Sequence, residues 1–76
     1  MQLDIITADK DIFSGEVTAV TLPGSKGRFQ VLNNHAALIS SLDKGTVVVE
    51  SREGKKEFSI GGGVVEVLNN KITVLA

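Results

Sequence analysis

The chain has 76 residues, no cysteine and a formal net charge of −1, from eight Lys and Arg against nine Asp and Glu. A chain this short holds one domain with a small core, and it has neither a disulfide staple nor a thiolate metal site. It has no basic patch, only three aromatic residues (Phe13, Phe29, Phe58) and no apolar run near the ~18 residues of a membrane span, so it lacks the footprints of a nucleic-acid binder and of a membrane helix.

Val, Ile and Thr are abundant, and apolar residues alternate with polar ones, the period-two pattern of half-buried strands. Gln2–Ile6 is the first such run, with Leu3 and Ile5 on one face. Met1-Gln2-Leu3-Asp4 lacks the basic start and long apolar stretch of a signal peptide. Ala8–Asp11 is a polar turn; Ile12-Phe13 resume the apolar pattern, and Ser14-Gly15 predict a kink or bulge. Glu16–Leu22 reads as one strand. Pro23–Gly27 is a turn, since Pro fixes one φ and Gly allows a positive one. Arg28–Leu32 is a short strand with Phe29 and Val31 on one face. Asn33-Asn34-His35 predict a second turn, because Asn tolerates left-handed backbone.

Ala36–Leu42 fits either a short helical turn or an irregular strand, and Asp43-Lys44-Gly45 predict another turn. Thr46–Arg52 and Lys55–Ile60 flank Glu53-Gly54, and Val64–Leu68 and Lys71–Leu75 flank Asn69-Asn70; both are hairpin signals. Between them Gly61-Gly62-Gly63 interrupt the pattern, as glycines do where a second backbone passes close. Turns recurring about every 8–12 residues predict an all-β sandwich or barrel. The last two strands are apolar on both faces: Val64, Val65, Val67 and Leu68, then Ile72, Val74 and Leu75. Either they lie between two sheets, or a partner covers their outer face.

Catalytic chemistry finds little support. The one histidine, His35, sits in an Asn-rich turn, and no Gly-x-Ser-x-Gly elbow is present. Asp9 with Asp11 and Glu50 with Glu53 are carboxylate pairs beside turns, where solvated surface is the ordinary explanation. One histidine and scattered carboxylates do not make a metal site. Neither glycine-rich stretch has phosphate-loop spacing or opens a helix, so no cofactor is expected.

The string Thr21–Leu42, TLPGSKGRFQVLNNHAALISSL, resembles the core motif of the epsilon subunit of F-type ATP synthases, through Leu22, Pro23, Gly24, Gly27, Phe29, Leu32, Asn34, His35, Ala36 and Leu38. Leu3–Thr7 with Phe13–Val17 resembles that family's opening, and Gly62–Val67 with Ile72–Ala76 its closing strands, so the resemblance covers the whole chain. It implies a flattened antiparallel β-sandwich of two sheets, with about eight to ten short strands spanning residues 1–76. It also implies a non-catalytic rotor part that docks the gamma subunit to the c-ring and couples proton translocation to ATP synthesis or hydrolysis. The setting would be the cytoplasmic face of the bacterial inner membrane, with membrane contact only through the complex and no nucleic acid among the partners. By position, Thr7, His35 and Ser40 would face gamma, and Gly27-Arg28 would form the tip facing the ring.

The sequence departs from the family pattern where Asn33 and Ala37 replace frequent prolines, where Asp43-Lys44 replace Lys-Pro, and where Arg28 replaces an often acidic residue. The family's C-terminal helical hairpin has no counterpart in this sequence, which puts inhibition of ATP hydrolysis and ATP sensing in doubt. Two other readings predict different behaviour. A free-standing β-sandwich binding module would need a deep pocket, and a small hydrolase would need turnover through His35.

Overall fold

The period-two pattern becomes seven strands and no helix in the computed structural model, which describes residues 1–76. They are β1 (Gln2–Ile6), β2 (Asp11–Glu16), β3 (Ala19–Gly24), β4 (Gly27–Leu32), β5 (Leu38–Ser51), β6 (Gly54–Leu68) and β7 (Lys71–Leu75). All seven join one continuous sheet in the order β2-β1-β7-β6-β5-β3-β4. Neighbours are antiparallel except β1 and β7, which run parallel with Gln2 opposite Lys71 and Ile6 opposite Leu75. The all-β expectation therefore holds, with three corrections: there are seven strands, one pair is parallel, and the two layers are one sheet.

The reason is the length of β5 and β6, 14 and 15 residues. Leu38–Leu42 pair with Val67–Gly63, while Lys44–Ser51 pair with Gly61–Gly54, so the same two strands serve both layers. The first layer continues from the C-terminal half of β6 into β7, β1 and β2. The second continues from the C-terminal half of β5 into β3 and β4. Asp43-Lys44-Gly45, expected to turn, lie inside β5, and Gly61–Gly63 lie inside β6; the ladder skips Asp43 and Gly62 and resumes in the same register.

At this bend the inward-facing row changes parity. Leu38, Ser40 and Leu42 are the less exposed positions of the first half of β5, whereas Val47 and Val49 are buried in the second; β6 switches likewise from Phe58 and Ile60 to Val65 and Val67. Gly62 and Gly63 sit at φ 119° and 143°, a backbone that turns the strand over and that side-chain-bearing residues avoid. A second backbone does pass here: a Cβ on Gly63 would collide with the Leu75 carbonyl oxygen and come within 3.0 Å of Ala76 Cα.

Other expectations shift by a residue or two. Ser14 and Gly15 pair regularly with Asp4 and Leu3, and the irregularity falls at Ile12, skipped between Phe13 and Asp11. Glu16–Leu22 is interrupted at Val17-Thr18, where the chain crosses from the first layer to the second. Arg52-Glu53 form the first hairpin turn, closed by Ser51 opposite Gly54, and Asn69-Asn70 form the second with both residues left-handed.

The free edges of the two layers meet. The Phe13 ring of β2 lies 5.5 Å from the Phe58 ring of β6, tilted by 56°. The Met1 ammonium donates to the Val17 carbonyl at 3.2 Å and to Asn33 Oδ1 at 3.1 Å. Between the layers lies an aliphatic core that includes Leu3, Ile5, Val65, Val67, Ile72 and Val74 from one side and Val20, Leu22, Val31, Val47 and Val49 from the other. No polar or charged side chain is buried in it, so no orphaned hydrogen-bonding group weakens it.

Candidate docking surfaces

The outer face of the first layer carries the apolar residues that the core leaves out. Alternation along β6 and β7 buries Val65, Val67, Ile72 and Val74, and so turns Val64, Leu68 and Leu75 outward. They are 41%, 49% and 54% exposed, and Ile39 on the neighbouring β5 is 72% exposed. The registers Val64↔Leu75 and Ile39↔Glu66 place the four within one face, around Glu66 and Thr73. Burial between two sheets therefore accounts for one row of these strands only: Val65, Val67, Ile72 and Val74 are core, and the other row is open surface.

Polar residues border this stripe. Asp4 accepts from Ser14 Oγ at 2.7 Å and from Gln2 Nε2 at 3.0 Å, and Lys71 Nζ stands 3.7 Å away. The Ser14 hydroxyl, then Gln2, hold the Asp4 carboxyl below the ordinary carboxylate range; burial opposes them, and Lys71 adds a lesser pull in the same direction as Ser14. These residues form a hydrogen-bonded patch that lines up β1, β2 and β7.

Thr7 is half-buried at the end of β1. Its hydroxyl donates to the Lys10 carbonyl at 3.0 Å and accepts from the Lys10 amide at 3.2 Å, which closes the β1–β2 turn. His35 is exposed beyond β4, with Nδ1 donating to the Ala36 carbonyl at 2.8 Å and its backbone amide donating to Leu32 at 3.2 Å. The loop is pinned to the far end of the first layer by the Asn34 amide, which donates to Asn70 Oδ1 at 2.8 Å. Thr7 lies at the bend end of β1 and His35 near its start, so the length of β1, on the order of 15 Å, separates them. Ser40 lies between, half-buried on the row of Leu38 and Leu42 and bonded to the Ser41 carbonyl at 3.3 Å. The three do not cluster; they span one layer from end to end. Sequence reasoning missed Ile39, although its alternation with Leu38 and Ser40 was a usable signal.

Gly27 and Arg28 form a separate tip. Gly27, at φ 124°, closes the β3–β4 turn opposite Gly24, and Arg28 is exposed opposite Pro23. Ser25 ties this tip to the bend: its amide donates to Ser41 at 3.0 Å, and its hydroxyl donates to Asp43 at 3.1 Å.

The largest groove, of about 640 Å³, runs beside Met1 and is lined by Glu16, Val17, Thr18, Asn33, Ser51, Arg52 and Glu53, a mostly polar set. The Met1 ammonium within it is already committed to Val17, Asn33 and, at 3.5 Å, Glu16.

Comparison with known proteins identifies the fold. The ATP synthase epsilon chains of Bordetella petrii and Bordetella avium are 40% and 39% identical over the whole chain, which spans 55% of the length of each. Among solved structures, the chain superposes on Euglena gracilis mitochondrial ATP synthase (OSCP/F1/c-ring) with a TM-score of 0.90 at 27% identity, over 97% of this chain and 48% of that one. The central stalk/c-ring structure of Tetrahymena thermophila mitochondrial ATP synthase gives 0.83 at 16% identity, over 97% and 60%, a likeness of fold. The family model for the ATP synthase delta/epsilon chain β-sandwich domain matches residues 1–76, and the chain belongs to that family.

Proposed function

We propose that this chain is a non-catalytic docking domain of an F-type ATP synthase central stalk, seated between the gamma subunit and the c-ring. There it would couple proton translocation to ATP synthesis or hydrolysis, at the cytoplasmic face of the bacterial inner membrane. The observation that carries this reading is the exposed stripe of Ile39, Val64, Leu68 and Leu75, an apolar face that a free-standing domain has no reason to keep open. In this reading gamma covers the outer face of the first layer, meets Thr7 and His35 at its two ends and reaches Ser40 around the open edge of β5. A standard interface of about 800 Å² per partner would extend that far. Gly27 and Arg28 meet the ring loops from the separate tip, and neither surface touches nucleotide.

Leu68→Asp tests the first contact. Leu68 faces outward, so the variant should unfold within about 0.5 kcal/mol of wild type, yet capture gamma at least tenfold more weakly in co-purification. Wild-type capture by the variant would remove the stripe from the interface. Arg28→Glu tests the second: ring assembly should fall with the native ring and recover with ring loops of reversed charge. Unchanged assembly in both would count against it.

A further inference from the structure

The sandwich has four strand edges, and three are guarded. β2 carries Asp11 and Glu16 and the irregularity at Ile12; β4 carries Arg28; the free first half of β6 carries Lys55, Lys56 and Glu57. Charges and bulges of this kind keep foreign strands from adding to an open ladder. The fourth edge is the first half of β5, and it has no such guard. Ala36–Leu42 contains neither a charge nor a proline.

The backbone there is also open. Residues two apart in an antiparallel strand direct their N–H and C=O to the same side. The Ser41 carbonyl accepts from the Ser25 amide, on the side away from β6. The amide and carbonyl of Ile39 therefore face that side too, where the β3–β4 pair has already ended at Gly24, and no backbone bond outside the ladder involves Ile39. Its side chain, meanwhile, stands on the outer face beside a mostly apolar groove lined by Ala37, Leu38, Val67 and Leu68, with Glu66 directly opposite on β6.

We infer that the edge of β5 at Ile39 receives an extended strand from the partner, which adds to the first layer and continues its apolar outer face. A donor–acceptor pair at this spacing matches the open backbone of an extended strand, whereas the backbone groups within a helix are already paired to one another. The inference deepens the docking reading and rests on it: the strand belongs to the gamma subunit.

The test is hydrogen exchange on the chain alone and in complex with the gamma subunit of the same organism, combined with two variants. The Ile39 amide should exchange freely alone and become protected in the complex. Ile39→Pro, which removes the N–H, should weaken capture about tenfold or more, and by more than Ile39→Ala, which keeps it. A complex that leaves the Ile39 amide exchanging freely, or one in which Ile39→Ala binds worse than Ile39→Pro, overturns strand addition while leaving docking intact. Absence of any complex with the wild-type chain overturns the docking reading itself. Protection that appears with protein concentration and without gamma assigns the edge to a second copy and overturns the proposal. The exchange measurement on wild type decides the matter even if Ile39→Pro fails to fold.

Discussion

Gly63 concentrates more constraint than any other residue of the bend. Its φ of 143° is foreign to side-chain-bearing residues, and the space a Cβ would take is occupied by the Leu75 carbonyl and Ala76. Gly63→Ala should therefore cost about 2–4 kcal/mol in urea unfolding, lowering Tm by roughly 10–20 °C. Gly61, two residues away, meets nothing within 4 Å and has ordinary φ. Gly61→Ala should be neutral, or stabilising by up to about 1 kcal/mol, because it removes freedom from the unfolded chain only. Asp4 offers a second single-residue test. Its carboxyl is held below its ordinary value, mainly by Ser14, so the stabilisation it gives is complete above its unfolded pKa near 4 and is lost as pH falls through the lower folded value. In paired unfolding curves the stability difference between wild type and Asp4→Asn should stay flat from neutral pH down to about 5 and shrink below about 4.

At the scale of elements, the hairpin at Asn69-Asn70 performs two tasks that can be separated. Both residues are left-handed, the geometry of a two-residue turn joining Leu68 to Lys71, and Asn70 also holds the His35 loop through the Asn34 amide. Asn70→Gly keeps the backbone preference and removes the anchor. Global stability should move by less than about 1 kcal/mol, while the Asn34 amide exchanges faster than in wild type. This hairpin was fully legible in the sequence, because turn residues and register are local. The alternation that sorts Val65 and Val67 from Val64 and Leu68 was legible for the same reason. The bend was not. Asp43-Lys44-Gly45 and Gly61–Gly63 carry turn residues, yet a glycine at positive φ turns a strand over without ending its ladder, and only the partner strand reveals that. Likewise, no local signal in Ile12 distinguishes it from the regularly paired Ser14-Gly15. The candidate docking residues came from the family resemblance one position at a time, and nothing local in the sequence says how far apart they stand. Thr7 and His35 occupy opposite ends of a layer whose extent depends on the parallel pairing of β1 with β7, between chain segments far apart in sequence.

At the scale of the molecule, a domain of this size has roughly 4–11 kcal/mol of stability in total, so the two faces of the first layer should respond very differently to the same chemistry. Val67 is buried and its neighbour Leu68 is not. Val67→Asp places a carboxylate between the layers without a partner, a cost of several kcal/mol, and should leave the chain largely unfolded by circular dichroism, whereas Leu68→Asp keeps the wild-type spectrum. Equal spectra for the two variants would contradict the assignment of inner and outer rows.

The two long strands have a mechanical consequence as well. In a sandwich of separate sheets, a push on one layer reaches the other only through side-chain contacts, which can slide. Here β5 and β6 are covalent through both layers, and their ladder keeps one register across the bend, where only Asp43 and Gly62 are skipped. A load applied at Leu68 or Ile39 would travel along peptide bonds to the bend, where Ser25 joins it to the Gly27-Arg28 tip. A twist delivered to one face would thus arrive at the other as tension along the chain, with the hydrogen bonds of the ladder sharing it in parallel rather than opening one at a time.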